Sequence, residues 1–283
     1  MATVAGQRAT APAPGAGARR RRRRSFPAWR WVVMIVAGLY FLLPLYAALR
    51  FAGISGFKDV FTTPGFLPSL WLSVRLAFVT WLITMVIMIP TTVYVHLRMP
   101  RLRRLLETVT ILPIVIPPVV LILGVLQIAP LALRATAWML ALEYVVLAMP
   151  FAYRVLDAGL RSIEVKTLTE ASNSLGAGGL TTLWRVLLPN MRTAVTSATI
   201  LIVALVLGEF TMASLDLQQT FPVWIVLFDQ ENAQVSVAAS IFALVVTWLF
   251  LMLITVIATR QSRRIGGGEV TIFAVAPRET IGN

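Results

Sequence analysis

The chain has 283 residues, 58% of them apolar and only 13% charged, with a mean hydropathy of +0.82. A soluble domain carries roughly 25% charged residues, so this composition excludes an ordinary water-soluble fold and points to an integral membrane protein. There is no cysteine and a single histidine, His96, which excludes disulfides, thiolate metal sites, cysteine catalysis and metal motifs built on paired histidines. The net charge is +13, yet Lys58 and Lys166 are the only lysines and neither follows a glycine. A GxxxxGK phosphate loop is therefore absent, and any ATP must be bound by another chain.

Residues 1–28 form a basic arm with Arg8 and the run Arg19–Arg24, preceded by an Ala/Pro/Gly-rich stretch at 11–18 too poor in large apolar residues to fold. The arginine run superficially resembles a twin-arginine export signal, but the apolar run behind it is long enough to stay in the membrane, and five more follow. A nucleic-acid partner is disfavoured as well, because a basic arm beside a membrane fits contact with anionic lipid and a role in topology.

A bilayer core of ~30 Å needs about 20 mostly apolar residues as a helix. Six segments meet this demand: Trp29–Leu49, Leu70–Val95, Thr108–Ala129, Thr136–Leu156, Ala194–Leu215 and Val237–Ala258. The runs are continuous and too long for barrel strands, so the expected fold is all-α. Pro44, Pro90, Pro113, Pro117, Pro118 and Pro150 lie in or near these spans and are expected to be accommodated within them. The chain then divides into the arm 1–28, a six-helix membrane domain 29–258 and a tail 259–283.

Sorting the loops by charge predicts the orientation. Arg98, Arg101, Arg103 and Arg104 follow the second span; Arg161, Lys166, Arg185 and Arg192 follow the fourth; Arg260, Arg263 and Arg264 follow the sixth. The loop after the fifth span instead has Asp216, Asp229 and Glu231 and no basic residue. Positive-inside bias places both termini in the cytoplasm.

The connection between the fourth and fifth spans, 157–193, is long for a linker. Its apolar positions Val165, Leu168, Ala171 and Leu175 form one helical face, Gly176 suits a left-handed closing turn, and a second short helix is expected over Leu180–Leu187 before Leu188-Pro189. A helix–turn–helix knob of this kind fits a partner's groove or, equally well on periodicity alone, lies on lipid as an amphipathic interfacial helix.

The segment Glu170-Ala171-Ser172-Asn173-Ser174-Leu175-Gly176, followed by Val186-Leu187-Leu188-Pro189, resembles the EAA loop of ABC importer permeases in the spacing of every anchor. Met149-Pro150-Phe151 through Arg154, Gly159–Ile163 and Leu168 are similar to the family's approach to that motif, and Ile111-Leu112-Pro113 with Ile116-Pro117-Pro118 is similar to its third span. Departures are Ser172 for the second alanine, Val186 for isoleucine, Glu164-Val165 where the family often has Asp-Pro, and the extra looseness of Gly178-Gly179.

The resemblance implies a type I ABC importer permease fold in a bacterial cytoplasmic (inner) membrane, non-catalytic, with no cofactor of its own. It implies a separate ATPase dimer binding ATP and Mg, a second identical or related permease subunit, and an extracytoplasmic solute-binding protein. Coupling to the ATPase would then fall to Leu168, Glu170, Ala171, Ser172, Leu175, Gly176, Val186, Leu188 and Pro189. Glu170 would pair with the partner or cap the helix, Gly176 would set the turn, and Ala171 and Ser172 would allow close approach.

Two acidic residues lie inside expected spans, Glu143 and Glu209. Such residues cost ~2.5–3.5 kcal/mol near a helix centre, which makes a place in the permeation path or its gate the default reading. Pairing with a second permease subunit is the alternative. Trp138, Tyr144 and Trp224 are expected at interfacial positions rather than in the path. The stretch Leu207-Gly208-Glu209-Phe210 is similar to the branch that includes polyamine, iron and thiamine importers. The expected solute is accordingly a polyamine or another small cationic or metal-bearing molecule, with sugar import by the same machinery as the alternative. An ion-coupled secondary transporter using Glu143 and Glu209 is a further alternative, but it leaves the spaced knob without a purpose.

Overall fold

The computed structural model describes residues 28–99, 101–134 and 136–266. The arm, but for its last residue, and the tail beyond Gly266 lie outside these described residues. Two compact units are distinguished, one ending at Tyr46 and one beginning at Ala47. In the first, α1 (Ala28–Val60) exposes apolar side chains all round from Trp29 to Tyr46, as a helix solvated by lipid does.

The second unit is built on three helices. α2 (Phe66–Arg98) and α6 (Ala137–Arg161) run side by side in the same direction, since Thr80 meets Ala141 near one end and His96 meets Asp157 near the other. α10 (Arg192–Leu207) packs against both in the opposite sense. Small residues permit the close approach that membrane helix packing relies on: Ala141, Ala148 and Ala152 on α6 and Ala198 on α10 are buried. Gly159 belongs to the same seam, because a Cβ there would overlap the Ala194 methyl. Trp81 Nε1 donates to Thr199 Oγ1 at 2.9 Å, an interhelical bond between α2 and α10.

Among the described residues five helices are long and apolar enough to cross a membrane, and one bent pair of shorter helices has the combined length and apolar character of a broken span or a re-entrant loop. That pair corrects the expected continuous span 108–129. Here α3 (Leu102–Val109) and α4 (Leu112–Val115) are followed by α5 (Pro118–Ile128), with a bend of 95° between Leu105–Val115 and Pro118–Ile128. Two successive prolines explain it. A residue before proline is driven out of the helical region, and Ile116 (ψ 123°) and Pro117 (ψ 137°) are both extended, while Pro118 opens the next helix. Single prolines behave as expected: α2 continues through Pro90 and α6 through Pro150.

The expected fifth span 194–215 is interrupted: α10 ends at Leu207 and α11 (Thr211–Leu215), packed on α5, completes it. The acidic loop expected after it is more structured than a loop, because it forms α12 (Phe221–Asp229), packed on α2 and on α13 (Ala233–Gly266). Trp224, expected at an interfacial position, is 5% exposed. Its ring stacks on Phe221 and Phe228 and meets Phe66 edge-on, and its indole N–H donates to the Pro64 carbonyl at 3.0 Å. Trp138 is exposed, with the Arg75 guanidinium over its ring.

Candidate functional site

The knob between α6 and α10 starts at Val165, where the apolar periodicity starts. α7 (Val165–Ser174) has no side-chain cap at Glu164, consistent with the missing Asp-Pro. Its C-terminus is closed by backbone alone: Ala177 N–H donates to the Ser172 carbonyl (3.1 Å) and Gly176 N–H to that of Asn173 (2.9 Å). This is the Schellman arrangement, and it needs a left-handed residue at Gly176, whose φ is +80°. The chain re-enters helix at α8 (Gly179–Thr182), passes through a π-helical turn at Leu183–Leu187, and continues as α9 (Leu188–Asn190). Asn190 Nδ2 donates to the Val186 carbonyl at 2.7 Å, so the segment before Pro189 is held by a side chain as well as by backbone.

Two sets of contacts fasten the knob. Val165 and Leu187 are buried in the main core, with Leu168 and Leu183 packed against it. Ser172 and Thr182 share a hydrogen bond of 2.9 Å between their hydroxyls, and both side chains are buried. Ser172 thus makes its close approach inside the chain, between the two short helices. The expected apolar face is corrected. Ala171 is exposed, and Leu175 is 89% exposed because it is the capping residue, where the chain leaves the helical register. Glu170 lies in the middle of α7, so helix capping is not its role; its side chain is exposed and available to a partner. Val186 and Leu188 are half-buried and Pro189 is exposed.

Sequence reasoning missed two residues of the outward surface. Leu180 is 75% and Trp184 67% exposed, and with Leu175 they present large apolar side chains on a frame that is itself anchored. Their signal is the i, i+4 spacing of 180 and 184, out of phase with the half-buried Leu183 and the buried Leu187. Aromatic and aliphatic groups held rigidly at a surface are the usual anchors of protein interfaces.

At the opposite end the structure brings the two membrane carboxylates together. Glu209 accepts from Tyr144 Oη at 3.0 Å, from Met212 N–H at 2.9 Å and from Ala213 N–H at 3.3 Å. It therefore satisfies orphan donors at the start of α11 and ties α6 to that turn. Glu143 is 2% exposed, and neither carboxylate oxygen has a hydrogen-bond partner among the described residues. Asp216, read from sequence as a loop residue, is buried and, with Glu209, lies within electrostatic reach of Glu143. Tyr144, expected at the interface, is buried in the core and linked to Glu209. Among the described residues no grouping of three or more His, Cys, Asp or Glu side chains is arranged to hold a metal ion.

Residues 88–267 match the family described as binding-protein-dependent transport system inner membrane components, and the chain belongs to that family. It is a permease component of an ABC importer and a multi-pass inner-membrane protein. It is 28% identical to the molybdenum transport system permease protein ModB of Mycobacterium bovis over 244 residues, 79% of this chain and 92% of that protein; ModB of Mycobacterium tuberculosis matches to the same extent. The fold is that of type I ABC importer permeases. A bacterial alginate ABC transporter solved with its alginate-pentasaccharide-bound periplasmic protein matches with TM-score 0.61 and 16% identity, over 84% of this chain and 95% of that one. The inward-facing MetNI methionine transporter matches with TM-score 0.53 and 21% identity, over 70% and 95%.

Proposed function

We propose that this chain forms half of a solute path and is driven by a separate ATPase dimer that docks on the knob 165–190. The observation that carries this reading is the exposure of Leu175, Leu180 and Trp184 on a turn locked by Gly176 and by the Ser172–Thr182 bond. An apolar surface on a fastened frame transmits force, whereas a floppy one absorbs it. Glu170 contributes the charged contact at the edge of this surface, Ala171 leaves room beside it, and ATP and Mg belong to the partner. A second permease subunit completes the path, and a solute-binding protein delivers at the acidic end. Both termini then lie in the cytoplasm, as the basic loops favour.

For the solute, the relatives favour the metal-bearing end of the expectation over a polyamine, since the curated relatives are molybdenum permeases. Glu143 and Glu209 act in this reading at the gate rather than as an open binding surface, because one is buried and the other is engaged with α11. The test has two parts. ATP-dependent uptake in vesicles that is unaffected by collapsing ion gradients supports the ABC reading over a secondary transporter. Thermal-shift screening of the cognate binding protein with molybdate, iron chelates, thiamine, polyamines and sugars assigns the solute, and stabilisation by a sugar alone would overturn the metal-bearing reading.

A further inference from the structure

A second cluster of charge stands beside the knob, and docking does not use it. Asp157, its side chain 6% exposed, lies one turn before the end of α6. Its Oδ1 is 3.1 Å from Arg103 Nε on α3 and 3.6 Å from His96 Nδ1 near the end of α2, and its Oδ2 is 2.5 Å from Arg161 Nη2. Glu107, also on α3, pairs with Arg161 and lies 3.7 Å from Arg103. The end of α2 and the start of α3, consecutive in the chain, therefore converge with the last turn of α6 on one nearly buried carboxylate.

Two physical points give this convergence meaning. Partly exposed ion pairs such as Arg161–Glu107 add little stability, so their value is geometric. A buried carboxylate deprived of its cations is costly, so Asp157 holds its partners wherever it moves. Only residues 162–164 separate α6 from α7, so whatever displaces the knob acts almost directly on the turn that carries Asp157.

We propose that Asp157 is a positioning residue for coupling: it latches α3 and the end of α2 to the last turn of α6, so that the knob and the elbow between α2 and α3 move as one body. This rests on the reading of the knob as the ATPase dock. Through the latch, displacement of the knob reaches the bent helix pair that begins within α3, as well as α6 itself.

The absence of native cysteine makes a direct test possible. Leu105→Cys on α3 and Lys166→Cys on α7, both exposed positions, take spin labels in the transporter assembled with its ATPase and binding protein. The expected 105–166 distance distribution is narrow and identical with and without Mg-ATP. In Asp157→Asn it broadens on Mg-ATP, and stimulation of ATP hydrolysis by the binding protein falls about fivefold or more while basal hydrolysis is kept; Asp157→Glu restores both. Arg103→Gln with Glu107→Gln cuts the ties from α3 but leaves Asp157 its own-helix partner Arg161, so it preserves folding and is expected to give the same two effects. Should Asp157→Asn not assemble, this double variant decides alone. The latch is overturned by a separation that shifts on Mg-ATP in the otherwise unaltered chain, or by a double variant with an unchanged distribution and full stimulation. Failure of the docking reading is distinct: it shows as full stimulation in Trp184→Asp.

Discussion

The two ends of the bundle use the same materials in opposite ways. Each carries short helices after a break in a long one, and each carries tryptophan and other large apolar side chains. At the acidic end α12 turns them inward, and Trp224 disappears into an aromatic cluster with Phe66, Phe221 and Phe228. At the basic end the knob turns Leu175, Leu180 and Trp184 outward, although its other face is firmly packed. Burial that is complete within one chain serves the fold. The apolar exposure of the anchored knob is what the proposed docking of an ATPase would cover.

Substitutions at the two ends separate these roles. Leu180→Asp combined with Trp184→Asp removes two apolar anchors and is expected to lower ATP-driven uptake about thirtyfold or more, with normal amounts of chain in the membrane. Gly176→Val forces a β-branched residue to φ +80° at a local strain of about 1–2 kcal/mol. Uptake per ATP hydrolysed is expected to fall several-fold while insertion survives, measured as the ratio of the two rates in proteoliposomes. Trp224→Ala reverses the pattern: a loss of about 3–5 kcal/mol of stability, read as a lower unfolding midpoint in detergent, with the transport-to-hydrolysis ratio of surviving protein unchanged. Glu209→Ala strips the donors at the start of α11 of their acceptor and is expected to cost about 1–2 kcal/mol, whereas Glu209→Gln, which keeps an acceptor, costs less. Gly179→Ala has the smallest effect, within about 1 kcal/mol and with unchanged uptake, because a Cβ there meets nothing and φ is not left-handed.

Much of the frame is legible in sequence because lipid demands long apolar runs, and the start of α7 and the turn at Gly176 follow from local chemistry. Features set by tertiary contact are not legible. Nothing in the sequence distinguishes the tolerated Pro90 from the disruptive Pro117-Pro118 except their pairing, whose effect depends on whether the chain is free to turn. Leu175 fits the apolar periodicity of α7 but faces out, because the helix stops one residue earlier. Arg103 and Arg161 read as topology markers, and only the fold shows that they converge on Asp157. Glu143, separate in sequence from Glu209 and Asp216, lies within electrostatic reach of both, and Tyr144 binds Glu209, a proximity no spacing rule could supply.

Whether the exposed apolar surface of the knob sits in the ATPase is measured most directly by cross-linking in the assembled transporter, from cysteines placed singly at Leu175, Leu180, Trp184 and, as the inward control, Trp224. Adducts with the ATPase from the first three positions and none from the fourth are the expected result. An uptake-competent transporter that yields no ATPase adduct from 180 or 184 would contradict the account.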